Sequence, residues 1–348
     1  MKTEYSLQEL GWKPFFQQQL SLDDYDAYIP GRIIGHERAH IDVVTEQGQC
    51  SVPITTNLPS VTVGDWLLLS RDNHVDRLLD RQSCFYRKAA GTKVDRQLIA
   101  SNIDTVFIVT SLNQDFNLNR LERYLALAHE ADVRPVIVLT KLDQCDDSEI
   151  YTQQLHGLGN LLDYVTVNAL DSLTIEKLAP WCKTGSTVAF LGSSGVGKST
   201  LINTLSGARI QSTQGIREDD AKGRHTTTSR SLHLLENGLI LIDTPGMREL
   251  QLVDVAEGLE ETFADITSLA KSCKFSDCQH QTEPGCAVQN ALESGELDER
   301  RLTNFLKLMR EQAFNSATLA ERRANDKEFG KLIKSVMKNK KQEKKHNY

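Results

Sequence analysis

The chain has no apolar run long enough to cross a bilayer, which excludes a helical membrane span. Its opening stretch, MKTEYSLQELGWKPFF, lacks a basic flank followed by an apolar segment. No secretory signal is read there, and a cytoplasmic protein without a membrane partner is expected. A disulfide framework is missing as well. There are seven cysteines, an odd number, and Cys50, Cys84, Cys145 and Cys182 stand singly, as reduced core thiols do. No internal repeat is present. A positive balance is also absent: the net charge of −7 argues against a surface that coats nucleic acid as a whole. The last eighteen residues nevertheless carry seven lysines against one glutamate, so any nucleic-acid contact is expected to be local.

What is present is a composition of 39% apolar and 25% charged residues over 348 positions, ordinary for a globular chain and long enough for two or three domains. Residues 1–30 read as an amphipathic extension with no assignable chemistry. Over 31–95, short alternating segments (GRIIGHERAHIDVVTE, CSVPI, DWLLLSR) are separated by turns at Gln47-Gly48 and Val63-Gly64-Asp65. This predicts a small antiparallel barrel, a pattern that a sandwich would share. Over 96–252, the β-rich runs TVFIVT, RPVIVLT, DYVTVN and STVAFLG alternate with helical stretches such as LNRLERYLALAHEA, which predicts an α/β domain with a parallel sheet covered on both faces. RSLHLLENGLILIDTPG adds an expected hairpin, with Asn237-Gly238 suited to a type I′ turn. Residues 253–324 show apolar positions at helical spacing and predict a small helical domain, and 325–348 form a basic tail.

Gly192, Ser193, Ser194, Gly195, Val196, Gly197, Lys198, Ser199 and Thr200 contain the pattern G-x4-G-K-[ST] between a predicted strand and a predicted helix. Glycines let successive N–H groups face phosphates, Lys198 brings a cation to the outer phosphates, and the Ser199 hydroxyl is left for Mg²⁺. Asp243-Thr244-Pro245-Gly246 ends the strand LILID, where the carboxylate of Asp243 suits Mg²⁺ through water and the Gly246 amide suits a γ-phosphate. Between them lies GRHTTT, residues 223–228, whose threonines offer a further Mg²⁺ ligand. Spacing does not separate Thr226, Thr227 and Thr228, and Thr227 is carried as the candidate. Thr140, Lys141, Leu142 and Asp143 resemble the N-K-x-D motif, in which the aspartate accepts two guanine donors. Adenine has no such pair, so Asp143 favours GTP, because a buried carboxylate unpaired by the wrong base is costly. Asn168 and Ala169, in VNAL, suit a second guanine loop. The motifs run base, base, phosphate, switch, Mg²⁺, a circular permutation.

Cys273, Cys278, His280 and Cys286 form a Cys₃His set whose soft, closed ligands favour one structural Zn²⁺, the alternative being buried thiols beside an incidental histidine. In many GTPases a glutamine after D-x-x-G orients the attacking water, but Met247 stands there, so slow intrinsic hydrolysis is expected. His225 is the nearby side chain able to orient a water, the alternative being an exposed loop histidine.

With these motifs in place, the chain resembles the circularly permuted ribosome-biogenesis GTPases of the RsgA (YjeQ) family over residues 30 to 315. The likeness rests on GDW at 64–66, RQLIASNID, SLNQDFNLNRLERYL, TKLD, GSSGVGKSTLIN, GRHTTT, DTPGMREL and the cysteine cluster. It implies an N-terminal OB barrel, a permuted GTPase domain, a helical zinc domain, and binding of GTP and GDP and of the small ribosomal subunit with its rRNA during late maturation; a monomer is expected. Two positions depart from the family: Thr140 stands where it has Asn, and Asn168 where it has Ser. For RNA, barrels offer a basic groove with stacking aromatics; Trp66, Tyr86, Arg87 and Lys88 are available, each equally suited to core or solvated surface. A metabolic P-loop kinase would need an acceptor-substrate pocket and an adenine site, and the guanine motif and the absent lid segment speak against it.

Replacing Asp143 by asparagine is expected to exchange a guanine preference for a xanthine preference. GTP affinity should fall by roughly 10- to 100-fold, since hydrogen bonds to a charged group are worth ~1.5–3 kcal/mol. Competition binding with GTP, ATP and XTP measures this, and unchanged selectivity would remove Asp143 from the site.

Overall fold

The computed structural model describes residues 4–88, 96–159, 162–207, 230–243, 252 and 254–316. Two short helices come first, α1 (Pro14–Gln17) and α2 (Leu22–Ala27). Proline near the start of α1 has the φ a first turn requires, and Ser21 with Asp24 closes a capping box on α2. Five strands follow: β1 (Ile29–His36), β2 (His40–Thr45), β3 (Gly48–Pro53), β4 (Trp66–Leu69) and β5 (Val75–Leu78). They pair antiparallel in the order β3-β2-β1-β4-β5, with no pairing of β3 to β5 among the described residues. Alternate positions such as Ile33, Ile41, Val43, Val52, Leu67 and Leu69 turn inward into one core, as period-2 side chains on a half-buried sheet must.

The outer face of β4 is covered as well, by the N-terminal extension. Leu10 and Phe16 pack with Val44, Trp66, Leu68 and Leu79 in a second cluster. Trp66 is wholly buried, with the Trp12 and Phe16 rings 4.8 and 5.8 Å away. Of the aromatic candidates for base stacking, Trp66 is therefore core. Tyr86 is also held within the protein, its hydroxyl 3.2 Å from both a Glu130 carboxylate oxygen and the Asp254 carbonyl.

A separate hairpin of β6 (Cys84–Lys88) and β7 (Arg96–Ser101) leads into the central layer. The elements then run β8 (Thr105–Ser111), α3 (Leu118–Glu130), β9 (Arg134–Thr140), α4 (Glu149–His156), β10 (Tyr164–Thr166), α5 (Leu173–Leu178), β11 (Thr187–Leu191), α6 (Lys198–Ser206), β12 (Arg230–Leu234) and β13 (Ile240–Asp243). The parallel strands stand in the order β10-β9-β8-β11-β13, with β12 antiparallel beside β13. Strand β8 shows why these segments read as continuous apolar runs: Val106 and Ile108 face one core, Phe107 and Val109 the other. The hairpin turn differs from the expected type I′. Gly238 N–H donates to Leu235 O, so Glu236 and Asn237 are the central residues, and Gly238, at φ +80°, takes the left-handed bulge position. Asn237 does not adopt positive φ, whereas a type I′ turn would need it there.

Beyond Asp243 come α7 (Ala256–Thr262), α8 (Ala264–Ala270), α9 (Ala287–Glu293) and α10 (Glu299–Ser316). Leu259, Phe263, Ile266, Val288, Leu302 and Phe305 belong to the same cluster as Ile108, Leu121 and Ile137, so these helices share the sheet's core. Helices α3 and α7 touch at backbone distance: a Cβ on Gly258 would sit 2.1 Å from Ala126 O. Beside them the fully buried Glu122 receives Arg300 (3.0 Å), Arg301 (2.8 Å) and Asn304 (2.5 Å), satisfying a charge that burial alone would make costly.

The N-terminal strands join the central sheet through β1, whose Gly35 and His36 pair with Ser231 and Arg230 of β12. At that seam Arg32, 1% exposed, donates to Leu10 O (2.7 Å), Asn102 O (3.0 Å) and Thr187 Oγ1 (2.9 Å). Its guanidinium lies 5.6 Å from the Trp66 ring centre. Burial brings its pKa down to about 9, against the opposing pull of Asp65. That carboxylate, itself fully buried, is clamped by Arg81 at 2.7 and 2.8 Å and by the Ser101 hydroxyl at 2.6 Å. Gly64 must be glycine: its φ is +96° and a Cβ would lie 2.1 Å from Ser101 O. Replacing Arg32 by methionine strands several buried acceptors at ~1–3 kcal/mol each. Stability is expected to fall by more than ~2 kcal/mol, read as a lowered urea midpoint in tryptophan fluorescence; an unchanged midpoint would show that the seam does not depend on Arg32.

Candidate functional site

Strands β8, β9, β11 and β13 end together, and the candidate nucleotide residues lie at those carboxyl ends, where open α/β sheets bind ligands. The loop after β11 turns on three glycines with positive φ, Gly192 (+143°), Gly195 (+78°) and Gly197 (+97°). A Cβ on Gly192 would stand 2.2 Å from Val109 O, so the loop starts pressed against β8. Val196 anchors it in the core, Ser194 and Gly195 face outward, and Lys198, Ser199 and Thr200 form the first turn of α6. Lys198 is 8% exposed, and its ammonium donates to Gly192 O at 2.7 Å and to Ser193 O. It thus lies inside the curve of the loop, where a phosphate lysine is required.

The base motif is tied to this loop by the residue that departs from the family pattern. Thr140, fully buried at the end of β9, donates its hydroxyl to Val196 O at 2.6 Å. Lys141 adopts a left-handed φ of +60°, and Leu142–Gln144 make a 3₁₀ turn that carries Asp143 to the surface. The burial expected for that carboxylate is not supplied by the protein's own side chains. Parallel pairing of β9 with β10 brings in the second base segment: Val167 N donates to Leu139 O (2.8 Å), and Leu142 N to Val167 O (3.3 Å). Asn168, the other departure, uses its side chain to accept Leu170 N at 3.1 Å, the Asx turn to which asparagine is suited. Ala169 O receives the Thr204 hydroxyl of α6 at 2.6 Å. Both base segments are therefore bolted to the phosphate loop or its helix.

Asp243 closes β13, opposite Ser231 in register. His225, Thr227 and Gly246 lie outside the described residues, as do Met247 and the basic tail. One residue that bears on the site was not singled out from sequence. Thr204 lies four positions after Thr200, one turn along α6, and that spacing is a usable signal.

The cysteine cluster is assembled as expected. The ligand atoms of Cys273, Cys278, His280 and Cys286 all lie within 4.8 Å of one another. Sγ of Cys273 is 3.8 Å from that of Cys286 and 3.6 Å from His280 Nδ1, and none of the cysteines is in a disulfide. His280 takes a left-handed φ of +57°, fixed by Gln289, which donates to its carbonyl at 2.5 Å. Cys286 caps α9. Burial pushes the Cys273 thiol up, but the amides of Val288 and Ala287 outweigh it and hold the thiol below its ordinary value. A closed, soft donor set of this kind fits a zinc ion.

The RsgA GTPase family model matches residues 78–253. A curated relative, small ribosomal subunit biogenesis GTPase RsgA 2 of Vibrio parahaemolyticus, is 61% identical over 98% of this chain and 95% of its own length. Among solved structures, YjeQ from Thermotoga maritima superposes with a TM-score of 0.61 at 24% identity, covering 82% of this chain and 98% of its own. YloQ, described as a circularly permuted GTPase, gives 0.58 at 23% over 83% and 96%; both speak for the fold. The permuted order of the site, the fold and the full-length likeness together place this chain in the RsgA GTPase family.

Proposed function

We propose that this chain hydrolyses GTP to GDP and phosphate as a small ribosomal subunit biogenesis factor. The observation that carries this is the pair of hydrogen bonds, Thr140 to Val196 O and Thr204 to Ala169 O, both 2.6 Å, that join base-reading segments to a phosphate loop. In this reading Asp143 selects guanine, residues 168–169 back its oxygen, and residues 192–200 with Gly246 hold the phosphates. Ser199, Thr227 and Asp243 would hold Mg²⁺, which supplies charge neutralisation on the phosphate oxygens. His225 orients the attacking water in place of the glutamine that Met247 replaces.

The N-terminal five strands are read as an OB-type barrel, open at the β3/β5 seam, and the domains as residues 31–95, 96–252 and 253–324. Cys273, Cys278, His280 and Cys286 would hold one structural Zn²⁺. Because relatives are named for the small ribosomal subunit, the partner proposed is that subunit and its rRNA, met by the barrel and the basic tail of a cytoplasmic monomer. No helix among the described residues is long and apolar enough to cross a membrane.

GTP turnover by the purified chain is expected to be slow alone and to rise when purified small subunits are added. His225→Ala should keep GTP binding and lose roughly 100-fold of the stimulated rate, within the range of a positioned acid or base. A wild-type stimulated rate in that variant would make His225 an ordinary loop residue, and no stimulation at all would dismiss the subunit as activator. Metal analysis is expected to find one zinc per chain, reduced in Cys278→Ser together with the thermal midpoint; a metal-free wild type would overturn the zinc assignment.

A further inference from the structure

The second base segment holds a backbone donor that the fold leaves unused. Ala169 is 7% exposed, yet its N–H donates to no acceptor among the described residues. Buried amides seldom go unpaired in native proteins, so one left unpaired beside a candidate ligand site is itself a candidate contact. The neighbouring carbonyls are in the opposite condition. Thr166 O accepts from Lys177 Nζ at 2.9 Å, and Val167 O from Leu142 N at 3.3 Å. Asn168 O receives both the Thr174 hydroxyl at 2.6 Å and Asp171 N at 2.9 Å. Ala169 O receives the Thr204 hydroxyl, also at 2.6 Å.

Asn168 O and the Ala169 N–H belong to the same peptide unit. That unit is trans, and a trans peptide is planar with its C=O and N–H pointing to opposite sides. Whatever fixes the carbonyl therefore aims the amide. Thr174 is 2% exposed on α5, and its own N–H is held by Asp171 O at 3.1 Å, so its hydroxyl grips the unit from the side opposite the Ala169 N–H. From α6, Thr204 secures the next unit along. We propose that Thr174 and Thr204 are positioning residues for base selection: by holding Asn168 O and Ala169 O they aim the Ala169 N–H at the exocyclic oxygen of guanine. Discrimination at that atom then depends on side chains outside both base motifs.

The inference rests on the GTP-binding reading and is tested by competition binding on the full chain with GTP, ITP and 6-thio-GTP. ITP lacks the exocyclic amine that Asp143 would accept, whereas 6-thio-GTP keeps that amine and changes only the exocyclic oxygen, to a sulfur that accepts more weakly. The wild type is expected to prefer GTP over both. In Thr174→Val the preference for GTP over 6-thio-GTP should narrow by roughly two- to tenfold, the range for one neutral hydrogen bond, while the preference over ITP stays at the wild-type value. Thr174→Ser keeps the hydroxyl and should restore the ratio. Thr204→Val, at a half-buried position, should narrow the same ratio and reads it if Thr174→Val does not fold. An equal loss of affinity for all three nucleotides would mark a merely structural role. That result, a wild type indifferent to the sulfur, an unchanged ratio in either folded valine variant, or no recovery in Thr174→Ser would each overturn the proposal while the GTPase reading stood. A wild type that bound no GTP would overturn both.

Discussion

The buried guanidinium of Arg32 is the constraint on which the N-terminal half depends. Its donors reach the extension at Leu10, the entrance to the central sheet at Asn102, and β11 at Thr187. A cation this enclosed survives only if its hydrogen bonds are met and a carboxylate stands near. Asp65 stands near, and Arg81 and Ser101 hold it in turn. Gly64 keeps the turn tight enough for all of this to fit. The GDW segment is therefore a structural joint: it fixes the N-terminal strands against β11, the strand that delivers the phosphate loop.

From β11 the same logic continues outward. The loop is held at its beginning by β8 and at its crest by Thr140, while its helix grips the second base segment through Thr204. Circular permutation changes the order in which the chain visits these strands and leaves their neighbours unaltered, since parallel pairing fixes which ends come together. The shared core of α3 and the C-terminal helices makes the cysteine-bearing region an extension of the GTPase sheet's packing.

The glycine-rich loop after β11, the turns after β9 and β10 and the cysteine cluster were legible as local units because each is a short run of residues. The parallel strands were legible from runs that alternate between two cores, as in β8. What sequence left open depends on distant partners. Trp66 and Tyr86 have the composition of a nucleic-acid surface, and only their neighbours, Trp12 for one and Glu130 for the other, turn them inward. Asn237-Gly238 has the composition of a type I′ turn, and a one-residue difference in register moves the glycine to a bulge. Thr140 stands where the family has asparagine, and that its hydroxyl meets Val196 O at 2.6 Å depends on the packing of two loops some fifty residues apart. Glu122 gave no signal at all, since a glutamate on a helix is ordinarily solvated and its arginines lie at the other end of the chain.

The pairing of β1 with β12 joins Gly35 to Ser231, nearly two hundred positions later. During synthesis the N-terminal strands leave the exit tunnel first, and at ~5–20 residues per second they wait roughly 10–40 s for the strand that completes their edge. Through that interval the Gly35–His36 end of β1 is an unpaired edge of the kind that invites association with other chains, and for most of it the Arg32 guanidinium lacks the Thr187 hydroxyl, which lies 155 residues downstream. That end of β1 stays open until β12 emerges, about two thirds of the way along the chain, so the demand for chaperones falls before the last third of translation.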